Sequence, residues 1–172
     1  SPGEIAIYTD GGCRGNPGPG GYGVIIDTGG KRIEFAEGFR LTTNNRMEMM
    51  ACIAALRTLK TPADVILYSD SRYVVNGIDK GWARKWRANR WMRTKSEAAE
   101  NSDLWAQLLD LCDSHRVRFV WVRGHAGHPD HVAAITFHAI DFSSGFEPRP
   151  LHRAIHPAVT QTDSRAGRSL EQ

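Results

Sequence analysis

EIAIYTDGGCRGNPGPGGYGVIIDTGGKRIEFAEGF, residues 4–39, decides the fold. Its opening EIAIYTD (4–10) alternates apolar and polar side chains, the period of a half-buried strand. A glycine-rich turn follows over residues 11–23, with Pro17 and Pro19 inside it. YGVIID (22–27) and KRIEFAEGF (31–39) then flank Thr28, Gly29 and Gly30, two short strands around a glycine turn. The stretch predicts a three-stranded antiparallel meander.

Downstream the period changes. Thr42, Thr43, Asn44 and Asn45 offer helix N-caps, and apolar residues at 47, 49, 50, 53, 54, 56 and 59 keep a helical spacing from Arg46 to Lys60. ADVILYSD (63–70) is an apolar run of strand length after a helix, so it pairs in parallel through a crossover. SRYVVNGI (71–78) starts a short helix, DLWAQLLDLCDSH (103–115) a longer one, and VRFVWVRG (117–124) reads as a fifth strand. The expectation is an α/β fold: a mixed five-stranded sheet, three antiparallel strands and then parallel ones, flanked by helices.

The chain has 172 residues and a net charge of +3, enough for one domain with a tail. No run approaches the ~20 apolar residues of a membrane span, and SPGEIAIYTDGG lacks a signal-peptide pattern. Cys13, Cys52 and Cys112 are odd in number and widely spaced, against a disulfide framework. These features point to a reduced cytoplasmic setting and away from secreted, membrane or disulfide-stapled classes; a monomer is the expectation. Charge is concentrated: residues 80–95 hold Lys80, Arg84, Lys85, Arg87, Arg90, Arg93 and Lys95 and no acid, so the rest of the chain is mildly acidic. One local basic patch predicts a single polyanion-binding surface.

Asp10 and Asp70 end two predicted strands, where open α/β sheets present functional groups, and Glu48 falls in the first turn of the first predicted helix. Taken singly, an Asp after a strand is usually a turn former and a Glu in a first turn usually serves the macrodipole. Gathered in one cleft, three carboxylates repel one another until a cation joins them. An oxygen-only donor set suits Mg²⁺ or Mn²⁺ better than zinc, and two such ions about 4 Å apart serve phosphodiester cleavage.

Four longer stretches carry a resemblance: YTDGGCRGNPGPGGYG (8–23), TTNNRMEMMA (42–51), YSDSRYV (68–74) and WVRGHAGHP (121–129). They are similar, in order, to the signature blocks of type 1 ribonuclease H, the bacterial single-domain kind. The resemblance spans residues 4–130. It implies the same mixed sheet and metal-dependent hydrolysis of the RNA strand of RNA·DNA hybrids, leaving 5′-phosphate and 3′-hydroxyl ends. It makes Asp10, Glu48 and Asp70 metal ligands, with two Mg²⁺ ions expected and Mn²⁺ as a substitute, and His125 an aid to proton transfer or product release. A loop histidine bonded to backbone is the plainer reading of His125; a zinc pair with His128 lacks a third ligand type.

Hybrids expose 2′-hydroxyls in a wide, shallow minor groove. Cys13, Asn16, Thr43, Asn44 and Asn45 lie in the matching blocks and supply small polar groups for it, although Asn also caps helices and forms turns. Arg72 stands where relatives often carry glutamine. The segment KGWARKWRANRWMRTK (80–95) resembles the basic handle of the bacterial enzymes. There Trp82 and Trp86 pin the protrusion, while Lys80, Arg84, Lys85, Arg87 and Arg90 meet phosphates without sequence preference.

The resemblance breaks past residue 130. The family's fourth metal carboxylate lies ten positions after the histidine, which here is Ile135; Asp130 comes too early and Asp141 too late. A shift of reading frame near codon 133 would account for the break; sequencing the gene decides it, and no alternative frame resembling the family past codon 130 rejects it. The expectation is a catalytic domain over 1–130 with an altered C-terminal helix and a divergent, poorly structured tail over 131–172. Part of the sheet is then left uncovered and the metal site weakened. The alternative is an inactive module that binds RNA·DNA hybrid without cutting it.

Overall fold

The computed structural model describes residues 3–124 and 130–145. The meander is β1 (Glu4–Cys13), β2 (Gly18–Asp27) and β3 (Arg32–Thr42). Then come α1 (Asn44–Arg57), β4 (Asp64–Ser69), α2 (Arg72–Asp79), α3 (Trp82–Ala88), α4 (Ser102–Ser114), β5 (Arg116–Trp121) and α5 (Asp130–Gly145). The sheet order is β3-β2-β1-β4-β5. β1 and β3 pair antiparallel with β2, while β4 pairs parallel with β1 and β5. This is the mixed five-stranded sheet expected from the sequence. No helix among the described residues is long and apolar enough to cross a membrane.

The glycine-rich stretch is mostly strand, not turn. Gly11 and Gly12 extend β1, Gly18–Gly23 begin β2, and the turn itself is confined to residues 14–17. Two positions show why glycine is used there. A Cβ on Gly23 would stand 2.6 Å from Thr136 Oγ1 of α5, and one on Gly11 would stand 2.6 Å from the carbonyl carbon of Met47 on α1. Neighbouring strand residues face opposite sides, so α1 and α5 press on the two faces of the sheet at the strand segment that carries Asp10.

The α1 face carries the main core, including Ile7, Tyr22, Met47, Leu56, Leu67, Trp105 and Leu109. On that side α1 packs along α4, with the Trp105 ring fully buried. The opposite face has a smaller cluster of Ile25, Ala36, Val132, Ile135 and Ala139, bordered by Tyr8.

α5 corrects the expectation that the tail begins at residue 131. The helix runs through that boundary to Gly145, packs on β2, β3 and β1, and covers the face expected to be bare. Val132, Ile135, Thr136, Ala139, Ile140 and Ser143 form its buried stripe, a regular helical spacing. Hydropathy hides it because two of these residues are polar, while Phe137 (57% exposed) and Phe142 lie on the outer face. The Thr136 hydroxyl donates to the Val132 carbonyl at 2.9 Å and that of Ser143 to the Phe39 carbonyl at 3.2 Å, which makes burial of both tolerable. Residues 146–172 lie outside the described residues.

Candidate active site

Asp10 is placed by β1. The parallel β1–β4 register reaches Tyr8 opposite Tyr68, and two residues further it brings Asp10 level with Asp70, just past the end of β4. Glu48 comes from α1. That helix starts at Asn44, earlier than the sequence indicated, because Thr43 is the N-cap: its hydroxyl accepts from Arg46 N at 3.2 Å. Glu48 therefore lies beyond the first turn, where the macrodipole does not explain it.

One oxygen from each of Asp10, Glu48 and Asp70 lies within 4.8 Å of the others. Asp10 is only 9% exposed. Glu48 Oε1 and Asp70 Oδ1 are buried with no hydrogen-bond partner among the described residues. Burial first, then the charges of Asp70 and Asp10, push the Glu48 carboxyl well above its ordinary range. Converging anionic oxygens left without donors fit a hard divalent cation. The three carboxylates would hold it.

Asp70 is fixed through its main chain. The Trp121 indole N–H donates to the Asp70 carbonyl oxygen at 3.2 Å, and Ser71 N donates to Ser69 Oγ at 3.0 Å. Ser71 also caps α2, accepting from Val74 N at 3.1 Å.

Cys13, Asn16, Thr43 and Asn44 come together where the β1 end meets the α1 start. Cys13 N donates to Asn44 Oδ1 at 2.8 Å, and Asn44 N to Asn16 Oδ1 at 3.0 Å. Both amide oxygens are thus used within the fold, leaving the amide nitrogens with no partner among the described residues. Asn45 follows on the first turn of α1.

The basic segment differs from its sequence reading. Arg84 and Arg87 bind Asp113 and Asp110 of α4 at 2.7 and 2.8 Å, and Arg93 binds Glu97. Two of these acids arrive from the neighbouring helix α4 and the third from just past the segment. Lys80, Lys85 and Arg90 are exposed and make no ion pair among the described residues. Trp86 packs edge-on against Trp105, ring centroids 6.2 Å apart, whereas Trp82 is 43% exposed with Lys80 Nζ 5.9 Å from its ring centroid. Arg72 does not join the handle: its guanidinium carbon sits 3.8 Å above the Trp121 ring. His125 lies outside the described residues.

The RNase H family model matches residues 2–135 of the chain. The chain belongs to the ribonuclease H family. It is 63% identical over 127 residues to a protein named ribonuclease H from Desulforamulus reducens, a match covering 74% of this chain and 80% of that protein. Among solved structures it is similar to LC9-RNase H1, a type 1 RNase H with the type 2 active-site motif (TM-score 0.71, 34% identity, 82% of this chain and 74% of that one). It is also similar to LC11-RNase H1 in complex with RNA/DNA hybrid (TM-score 0.63, 28% identity, 81% of this chain and 98% of that one). These relationships make it an endoribonuclease of the bacterial type 1 class, acting with metal on RNA paired to DNA.

Within this ribonuclease H the break at residue 135 has a structural form. Asp10 pairs across the ladder with Gly23, and a Cβ on Gly23 would meet Ile135 Cγ1 at 2.8 Å. Paired residues share a face, so an apolar side chain stands on the Asp10 side of the sheet. Asp141 is turned away and bound to Arg14. Among the described residues the cluster has three carboxylates. Sequence reasoning missed Gly11, Ser69 and Trp121; all three lie inside quoted motifs, but no spacing rule ties any of them to a carboxylate.

Proposed function

We propose that Asp10, Glu48 and Asp70 are the catalytic carboxylates of this ribonuclease H and that Mg²⁺, with Mn²⁺ as a substitute, is the ion they hold. The observation that carries the reading is the convergence of three carboxylate oxygens within 4.8 Å, two of the groups having a buried oxygen without a donor. A bound divalent ion supplies an activated water and a counter-charge for the leaving oxygen. The carboxylates' task is to orient it at the sheet end and to keep competing donors away. His125, by its place in the motif, aids proton transfer or product release. Cleavage leaves 5′-phosphate and 3′-hydroxyl ends.

Hybrid recognition divides into two parts. The Asn16 and Asn44 amides, with Cys13, Thr43 and Asn45 around them, contact sugar and backbone beside the carboxylates, where the 2′-hydroxyl marks the RNA strand. Lys80, Lys85 and Arg90, with Trp82, hold phosphates further along, and Arg84 and Arg87 exchange their exposed acid partners for phosphate. Ile135 in place of a fourth carboxylate raises the metal requirement. A site assembled from one chain supports a monomer, and three free thiols support a cytoplasmic setting.

The test is cleavage of a labelled RNA·DNA hybrid across a Mg²⁺ and Mn²⁺ titration, with Asp10→Asn as control. Cleavage by the wild type and none by the variant is the expected result. Hybrid bound but uncut at every metal concentration overturns it in favour of a binding module.

A further inference from the structure

Trp121 ends β5, paired in register with Ser69 of β4. It makes two contacts with different consequences. The indole N–H donates to the Asp70 carbonyl oxygen at 3.2 Å, and the ring carries the Arg72 guanidinium 3.8 Å from its centroid. Asp70 and Arg72 are two residues apart, so one side chain grips the chain on both sides of Ser71.

Arg72 is exposed and stands two residues from the Asp70 carboxylate. Among the described residues, Arg72 forms no ion pair or hydrogen bond and Asp70 Oδ1 has no hydrogen-bond partner. Arg14, Arg46, Arg84, Arg87 and Arg116 all bind an aspartate. Stacking occupies the face of the guanidinium and leaves its edge N–H groups open to an anion.

We infer that Trp121 is the positioning residue of this site: it holds the Asp70 main chain through its N–H, and on its ring it keeps Arg72 off the carboxylates and open to a substrate phosphate. This rests on the function proposed above. The two roles separate because they use different parts of one ring system. Ser69 Oγ, accepting from Ser71 N, is the second tie on the same turn.

The experiment measures Mn²⁺ binding to the full chain by calorimetry without nucleic acid, and KM and kcat on hybrid. Trp121→Phe keeps a ring for stacking and removes the donor. Its Mn²⁺ affinity falls about three- to tenfold, the size of one hydrogen bond, with KM within about twofold of wild type. Arg72→Gln raises KM about fivefold at constant kcat, as loss of a charged phosphate contact does, and leaves Mn²⁺ affinity undiminished. Trp121→Leu shows both defects, and adding Arg72→Gln to it restores part of the Mn²⁺ affinity by removing a cation released toward Asp70. If Trp121→Phe does not fold, Ser69→Ala provides the same reading of the Asp70 turn. Wild-type Mn²⁺ affinity in the donor-deleted variant, or an unchanged KM in Arg72→Gln, overturns the inference. A wild-type protein that binds neither Mn²⁺ nor hybrid overturns instead the function on which it rests.

Discussion

A Cβ on Gly11 would lie 2.8 Å from the backbone nitrogen of Glu48. The missing methyl is what lets α1 settle against β1 closely enough for Glu48 to reach Asp10. Backbone lies on both sides of this contact, so neither partner can swing aside as a flexible side chain would.

Gly11→Ala therefore pushes α1 off the sheet. The expected cost is about 1–3 kcal/mol of stability, with a loss of divalent-ion affinity. Thermal melts and Mn²⁺ titration check it; a variant with wild-type values in both contradicts the role given to this glycine.

The Glu48 carboxyl, raised by burial and by two neighbouring anions, makes the metal-free protein sensitive to alkali. Its folded-state value exceeds its unfolded one, so the folded state holds a proton that the unfolded state has released. Stability is full below the unfolded value and falls as pH rises through the folded one. Saturating Mg²⁺ is expected to remove that fall, since an ion held by these carboxylates would bind their deprotonated form. Melting temperatures followed from acidic to neutral pH, with chelator and with Mg²⁺, should diverge as pH increases, and Glu48→Gln should flatten the chelator curve.

Ile135→Asp places a carboxylate on the side of the sheet that carries Asp10. The Mg²⁺ concentration for half-maximal cleavage is expected to fall by about an order of magnitude, since affinity follows ligand charge count. Without metal the same variant melts lower than wild type, because a fourth anion joins three that already repel. A rise in metal requirement would show that residue 135 does not reach the ion.

In the handle, Lys85 and Arg90 make no ion pair among the described residues, whereas Arg84 and Arg87 each hold an aspartate. Lys85→Ala with Arg90→Ala should flatten the slope of log affinity against log salt by about 2, and Arg84→Ala with Arg87→Ala by less. Binding measured across a salt series distinguishes them, and single-turnover cleavage at saturating hybrid should be the same in both.

Strand and helix periods made most of the sheet legible, and the glycine-rich stretch was misread for an instructive reason. Gly21 and Gly23 look like turn residues, but they sit in β2, where α5 presses on the ladder and, at Gly21, the Glu37 carbonyl of β3 also leaves no room for a Cβ. α5 is hard to read from the sequence because the polar Thr136 and Ser143 interrupt its apolar stripe. Their hydroxyls are satisfied by carbonyls of the helix and of β3, partners that no hydropathy profile contains.

By itself the sequence determined what depends on neighbours along the chain: the alternation of EIAIYTD, the run of N-cap candidates from Thr42 to Asn45, and the motifs that hold Asp10, Glu48 and Asp70. Only the tertiary structure decided which charges cancel and which carboxylates are held. Asp113 reaches Arg84, and Trp121 reaches Asp70, across 29 and 51 residues of chain. Local propensity arises from a residue's own backbone and its nearest turns, whereas charge compensation and main-chain clamping depend on distance in space. Distance in space is set when the helices pack against the sheet.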